Sequence, residues 1–168
     1  MPRRKRILHR AFLAMVFNAA GELMLTRRSE KKRLWPGFWD GTVASHVLQG
    51  ENYEQASVRR LAQEIGLITH TIKYLFKFHY NAGYKDIGTE HEICAVTMVN
   101  NADLGTILLN DEEISETRSI CMQELIEGLE TNRNEYTPWL ILAVDHMNRL
   151  QGGGFKNRLT PFCSERTL

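Results

Sequence analysis

A chain of 168 residues with 43% hydrophobic and 24% charged positions has the make-up of one globular domain with a sizeable core. Its 21 basic and 20 acidic residues leave almost no net charge, which removes the global electrostatic case for a nucleic-acid or anionic-membrane partner. No apolar run approaches the ~20 residues of a membrane span and no secretory core follows the basic start "PRRKR", so a cytoplasmic location is expected. Three widely spaced cysteines, Cys94, Cys121 and Cys163, fit a reducing compartment without a disulfide framework.

In chain order, "RAFLAMVFN" (Arg10–Asn18) reads as a buried strand. The turn "AAGE" joins it to "LMLTRR" (Leu23–Arg28), which predicts a hairpin. "KKRLWPG" is a loop, and "FWDGTVASHV" is a third extended piece. From Glu54 the period changes. Val58, Leu61, Ala62 and Ile65 lie on one stripe of a helix that Gly66 is placed to end, with Arg60 and Glu64 sharing a face away from it. Two β-rich stretches follow, "TIKYLFKFHYNA" and "TEHEICAVTMVN", linked as a hairpin by "GYKDIG". "CMQELIEGLE" is a short helix. "TPWLILAVDHMNRL" is a longer one, with Thr137 as N-cap and Pro138 in the first turn. Residues 151–168 read as a tail. The order predicts an α+β fold, an α/β/α sandwich with a mixed sheet, as a single domain over 1–168 with its core at about 8–150.

The chemistry-bearing residues are carboxylates, histidines and a basic set. Glu90, Glu92 and Cys94 are two apart and share one face of a strand, with Ile93 and Ala95 on the other. Two like charges on one face are costly to bury without a positive partner, and a divalent cation is a natural one. His9 and His46 are candidates to complete such a site, and a His/Glu set suits Zn²⁺, Mn²⁺ or Fe²⁺. An exposed Glu-x-Glu on an edge strand is the plain alternative. His70, His79, His91 and His146 have no comparable partners and read as ordinary residues. Glu64 could hold a hard cation such as Mg²⁺, or simply pair with Arg60 on a solvated face. Arg27, Arg28, Lys32, Arg59 and Arg60 could cradle a diphosphate or be surface charge.

"ENYEQASVRRLAQEIGL" resembles the Nudix box, G-x5-E-x7-R-E-U-x-E-E-x-G-U with U aliphatic. Glu51, Arg59, Leu61, Glu64, Gly66 and Leu67 fall on it. Ser45 stands for the first Gly, Arg60 for the Glu after Arg, and Gln63 for one of the paired Glu. The wider set "LHRAFLAMVFNAAGELMLTRRSEKKRLWPGFW", "SHVLQGE", "RRLAQEIG", "EHE" and "TPW" is similar to type I isopentenyl-diphosphate isomerases, over about Leu8 to Arg149. That resemblance implies a Nudix fold and a metal held by His9, His46, Glu90 and Glu92. It implies a Mg²⁺ on Glu64 that bridges the substrate diphosphate, and phosphate contacts from Arg28, Lys32 and Arg60. It also places Trp139 against a carbocation and Tyr80 in the pocket.

The chain departs from that family at two points. A further metal-binding histidine about seven residues before His9 is replaced by Pro2. The proton-moving cysteine two residues before the matching His46 is Ala44, whose methyl group can move no proton. Ser45 is adjacent but is a poor base without a partner, and Cys94 reads as core. The expected function is a metal-dependent isoprenoid enzyme acting on a prenyl diphosphate or prenylated substrate. Glu92 or Glu90 would protonate an alkene, giving an atypical isomerase or a terpene-forming cyclase. Two alternatives stay open: a Nudix pyrophosphohydrolase of a nucleotide or prenyl diphosphate, and an inactive prenyl-diphosphate-binding homologue.

Overall fold

The computed structural model describes residues 7–150, so the basic start and the tail lie outside the described residues. Seven strands and three helices follow the order β1 (His9–Asn18), β2 (Leu23–Arg28), β3 (Trp39–Asp40), β4 (Val43–His46), α1 (Tyr53–Ile65), β5 (Lys73–Tyr84), β6 (Gly88–Ala102), β7 (Ile114–Ile120), α2 (Met122–Thr131) and α3 (Pro138–Leu150). The main sheet runs β3-β2-β1-β6-β5, with β4 added beside β1 and β7 beside β2. Only β1 and β6 pair in parallel and the other pairs are antiparallel, so the sheet is mixed as expected.

β1 is the centre of the molecule. Its residues from Ala11 to Phe17 are all buried, which requires cover on both sheet faces. Phe12, Ala14 and Val16 pack with Leu61 and Ile65 of α1. Leu13, Met15 and Phe17 pack with Leu125 of α2 and with Leu140 and Val144 of α3. The alternation of a strand therefore builds two cores, one per face, and makes the helix–sheet–helix sandwich.

Several local expectations hold. Gly66 ends α1 at φ 68°, a left-handed conformation that favours glycine; the Asn52 N-cap with its reciprocal Gln55 capping box was not expected. The second hairpin turns at Lys85–Ile87, where Ile87 N donates to Tyr84 O.

Other expectations are corrected. The buried face of α1 is Ala56, Ser57, Leu61, Glu64 and Ile65, while Val58 and Ala62 sit half-buried at its margin. The face turns because Ser57 Oγ meets Thr97 Oγ1 at 2.9 Å, which satisfies a buried hydroxyl. Glu64 lies on the buried side, not away from it, because Arg60 neutralises it there. The third extended piece is broken at Gly41-Thr42 into β3, paired with β2, and β4, paired with β1. Gly41 permits this crossing, since a Cβ there would lie 2.4 Å from Leu13 Cδ1. β7, "ISETRSI", was not expected. Thr137 starts α3 with its carbonyl accepting from Ile141 N, but its hydroxyl turns to Asp40 instead of capping the helix. Cys94 is a buried free thiol in the core, as expected.

Candidate active site

Three strands bring the histidines and carboxylates together. In the β1–β6 register His9 sits opposite Glu92, and in the β1–β4 register Ala11 sits opposite His46. Ligand atoms of His9, His46, Glu90 and Glu92 all lie within 4.8 Å of one another. His9 Nδ1 donates to Ile7 O at 3.0 Å, which turns Nε2 toward the carboxylates. Glu92 Oε1 is 3.0 Å from His9 Nε2 and 3.2 Å from His46 Nε2, and Glu90 Oε2 is 3.7 and 3.9 Å from the same two atoms. The two imidazoles meet edge to face at 4.5 Å. Two oxygen and two nitrogen donors converging on one point, with one histidine already oriented through its other nitrogen, fit a divalent metal.

Glu92 is buried, and its second oxygen accepts a 2.5 Å hydrogen bond from the Tyr80 hydroxyl. Burial pushes the Glu92 carboxyl up, but the hydrogen bonds from His46 and Tyr80 outweigh it and the net shift is downward. Glu90 is raised, first by burial and then by the Glu92 charge. His46 is raised by its hydrogen bond to Glu92. Burial, then the Glu92 charge, pushes the Tyr80 phenol far up, so it acts as a hydrogen-bond donor.

These groups line a cavity of about 490 Å³ whose wall includes Arg28, Lys32, Ala44, Cys94 and Glu113, with Trp139 against it. Trp139 is fixed by a residue that sequence reasoning missed. Buried Asp40 accepts at Oδ1 from Trp139 Nε1 (2.8 Å), Thr137 Oγ1 (3.0 Å) and Gly41 N (2.8 Å), and at Oδ2 from Arg28 Nη1 (3.2 Å). Burial raises its pKa against these partners. The only sequence signal was an acid inside an otherwise apolar extended piece, "FWDGTV".

Arg28 is in the wall, but its guanidinium is committed. It donates to Leu34 O (2.9 Å) and Trp35 O (3.0 Å), and lies 5.2 Å over the Trp139 ring. Those carbonyl bonds hold Trp35 in a left-handed conformation (φ 49°), with its indole edge-on to Trp139 at 5.1 Å.

The basic set divides. Lys32 pairs with Glu113 in the cavity wall; Arg60 bridges Glu64 (2.6 Å) and Glu113 (3.0 Å), but neither Arg60 nor Glu64 lines the cavity, and they reach it only through Glu113. Burial raises Glu64 to about 7 against the pull of Arg60. Arg27 pairs with Glu116 and Arg59 with Glu51, and neither lines the cavity. Glu113, the second residue missed, precedes the unexpected β7. Away from the site, His146 stacks on Phe78, and His79 and His91 share a 2.9 Å hydrogen bond.

The NUDIX domain family matches residues 7–140, and the chain belongs to that family. An "Isopentenyl-diphosphate Delta-isomerase 1" of Photorhabdus laumondii is 36% identical over 133 residues, covering 79% of this chain and 74% of that one. An "Isopentenyl-diphosphate Delta-isomerase" of Escherichia coli is 31% identical over 139 residues, covering 82% and 75%. Within the family the chain is thus an isomerase-type enzyme. Among solved structures, DR0079 from Deinococcus radiodurans (22% identity, TM-score 0.68, covering 87% of this chain and 89% of that one) and a MutT protein from Methanosarcina mazei (18%, 0.68, 89% and 99%) share the fold.

Proposed function

We propose that the cavity binds a prenyl diphosphate and protonates its alkene from the Glu90/Glu92 carboxyl pair. The observation that carries this reading is the buried Glu92, held by Tyr80 on one oxygen and by two histidines on the other, in one cavity with Trp139. A divalent metal held by His9, His46, Glu90 and Glu92 would supply the positive charge that keeps the carboxylates together and would make a proton held by the pair more acidic. Its four donors suit Zn²⁺ or Mn²⁺. Tyr80 keeps Glu92 Oε2 in place. The Trp139 face stabilises the tertiary cation, with its indole N–H tied back to Asp40 so that the ring cannot turn. Lys32, supported by Arg28 and Arg60, takes the phosphates, with Mg²⁺ on Glu64.

The second proton movement lacks its group. Ala44 lies on β4 opposite Leu13, so β1 separates it from Glu92 on β6. A side chain at 44 would address the substrate from the far side, and a methyl group there leaves the cation without a base. The product is then slow isomerisation, or a cyclic or rearranged prenyl compound whose last proton leaves to another acceptor. Incubation with isopentenyl diphosphate and longer prenyl diphosphates in D₂O tests this. Deuterium in recovered substrate or a new product supports the reading. No deuterium and no product from any of them, or release of inorganic phosphate alone, overturns it.

A further inference from the structure

Of the cations that line the cavity, Arg28, Lys31 and Lys32 already face carboxylates, while Arg33 donates to the Ile87 carbonyl. Lys31 Nζ lies 2.5 Å from Glu112 Oε1 and 3.3 Å from Asp111 Oδ2. Lys32 pairs with Glu113, and Arg60 Nη2 is 3.0 Å from Glu113 Oε1. Three of the opposing carboxylates come from one short stretch, 111–113, and the fourth is Glu64. The stretch is tied into the fold by its backbone: Asn110 N donates to Glu64 O and Ser29 N to Glu113 O, both at 2.9 Å. Lys31, Lys32, Glu112 and Glu113 all line the cavity. The Lys31 contacts are largely solvated and weak. The Lys32–Glu113 pair is different, since both side chains are only about one-fifth exposed (23% and 21%). This corner of the cavity therefore offers no surplus positive charge to an incoming polyanion.

We infer that Glu113 is a built-in competitor for the diphosphate. Its carboxylate holds the Lys32 ammonium until a phosphate oxygen takes that donor, so Glu113 sets the affinity for the polyanion. The exchange is inexpensive because Glu113 keeps Arg60 when it releases Lys32 and is not left buried without a partner. This inference rests on the diphosphate reading of the cavity.

Calorimetric titration with inorganic pyrophosphate, with and without Mg²⁺, separates the two. Glu113→Gln keeps the shape and removes the charge. It is expected to bind pyrophosphate about tenfold more tightly than the native chain, and the gain is expected to vanish in the Lys32→Gln background. If Glu113→Gln does not fold, Glu113→Asp withdraws the carboxylate by one methylene and is expected to shift affinity in the same direction. Lys32-dependent binding that is unchanged or weaker in these variants overturns the inference while leaving the diphosphate reading intact. Loss of affinity only in the presence of Mg²⁺ makes Glu113 a cation ligand and also overturns it. If no form binds pyrophosphate, the diphosphate reading fails and the inference with it.

Discussion

Ala44 stands where the resemblance to the isomerases expects a proton-moving cysteine, and its methyl group can move no proton. A base two strands away from Glu92 would be restored by Ala44→Cys, and we expect isomerase turnover of isopentenyl diphosphate to rise on the order of a hundredfold or more. An unchanged rate in a folded variant that binds metal would mean that more than the base differs. Glu92→Gln keeps the shape but cannot deliver the proton, so any deuterium incorporation should fall by about 10²-fold or more. Asp40 is a positioning residue, not a catalytic one, and its two oxygens accept from four donors. Asp40→Asn leaves Arg28 without its counter-charge and puts an amide against donors. It is expected to cost about 3 kcal/mol in urea unfolding, from breaking a buried ion pair. A cost below 1 kcal/mol would show that Trp139 and Arg28 are held by something else.

The elements explain which of these residues can meet. Glu90 and Glu92 share a face because a strand has a period of two, and that was legible in "EHEIC". Their meeting with His9 and His46 was not legible locally, since it depends on β1 lying between β4 and β6. The resemblance to a family supplied what periodicity could not. β7 escaped notice because most of its residues are solvent-exposed and it carries few apolar side chains, so it has no strong alternation of its own. It is a strand because the β2 backbone needs a partner, and with it come Glu113 and the loop that faces Lys32. At the end of α1, Gly66→Ala forces a left-handed backbone on alanine with its Cβ 3.4 Å from the backbone of Leu108. About 1 kcal/mol of stability should be lost, read as a lower urea midpoint at unchanged slope.

For the molecule as a whole, charge and folding are linked through Glu64 and His46. The folded protein holds the Glu64 proton to about pH 7, whereas an unfolded glutamate releases it near its ordinary value of 4.5. The native state therefore binds more protons across that window, and stability falls as pH rises from 4.5 through 7. His46, raised by Glu92, adds to the fall at the upper end, because its contribution is lost as pH rises through its folded pKa. In chelator-containing buffer, melting temperature should decrease between pH 5 and pH 8. Glu64→Gln should flatten the curve by up to about 3 kcal/mol. Added Zn²⁺ or Mn²⁺ should raise the melting temperature, and more so at higher pH, because the proton on His46 must leave before the nitrogen can bind a metal. A metal-induced shift that is absent, or independent of pH, would count against the His/Glu centre. No described helix is long and apolar enough to cross a membrane.

What the sequence determined by itself is what near neighbours decide: the first hairpin, the glycine that ends α1, proline at the start of α3, the face shared by Glu90 and Glu92, and the methyl group at Ala44. Local backbone preference and side-chain period are properties of a few adjacent residues, so they can be read without the fold. The tertiary structure alone decided the rest. It buried Glu64 against Arg60, broke the third extended piece at Gly41 so that β4 could lie beside β1, committed Arg28 to Asp40 and the Trp35 carbonyl, and placed Glu113 on Lys32. Each of these joins residues distant in the chain. Each depends on which cation reaches which carboxylate once water has been excluded, and no local pattern encodes that.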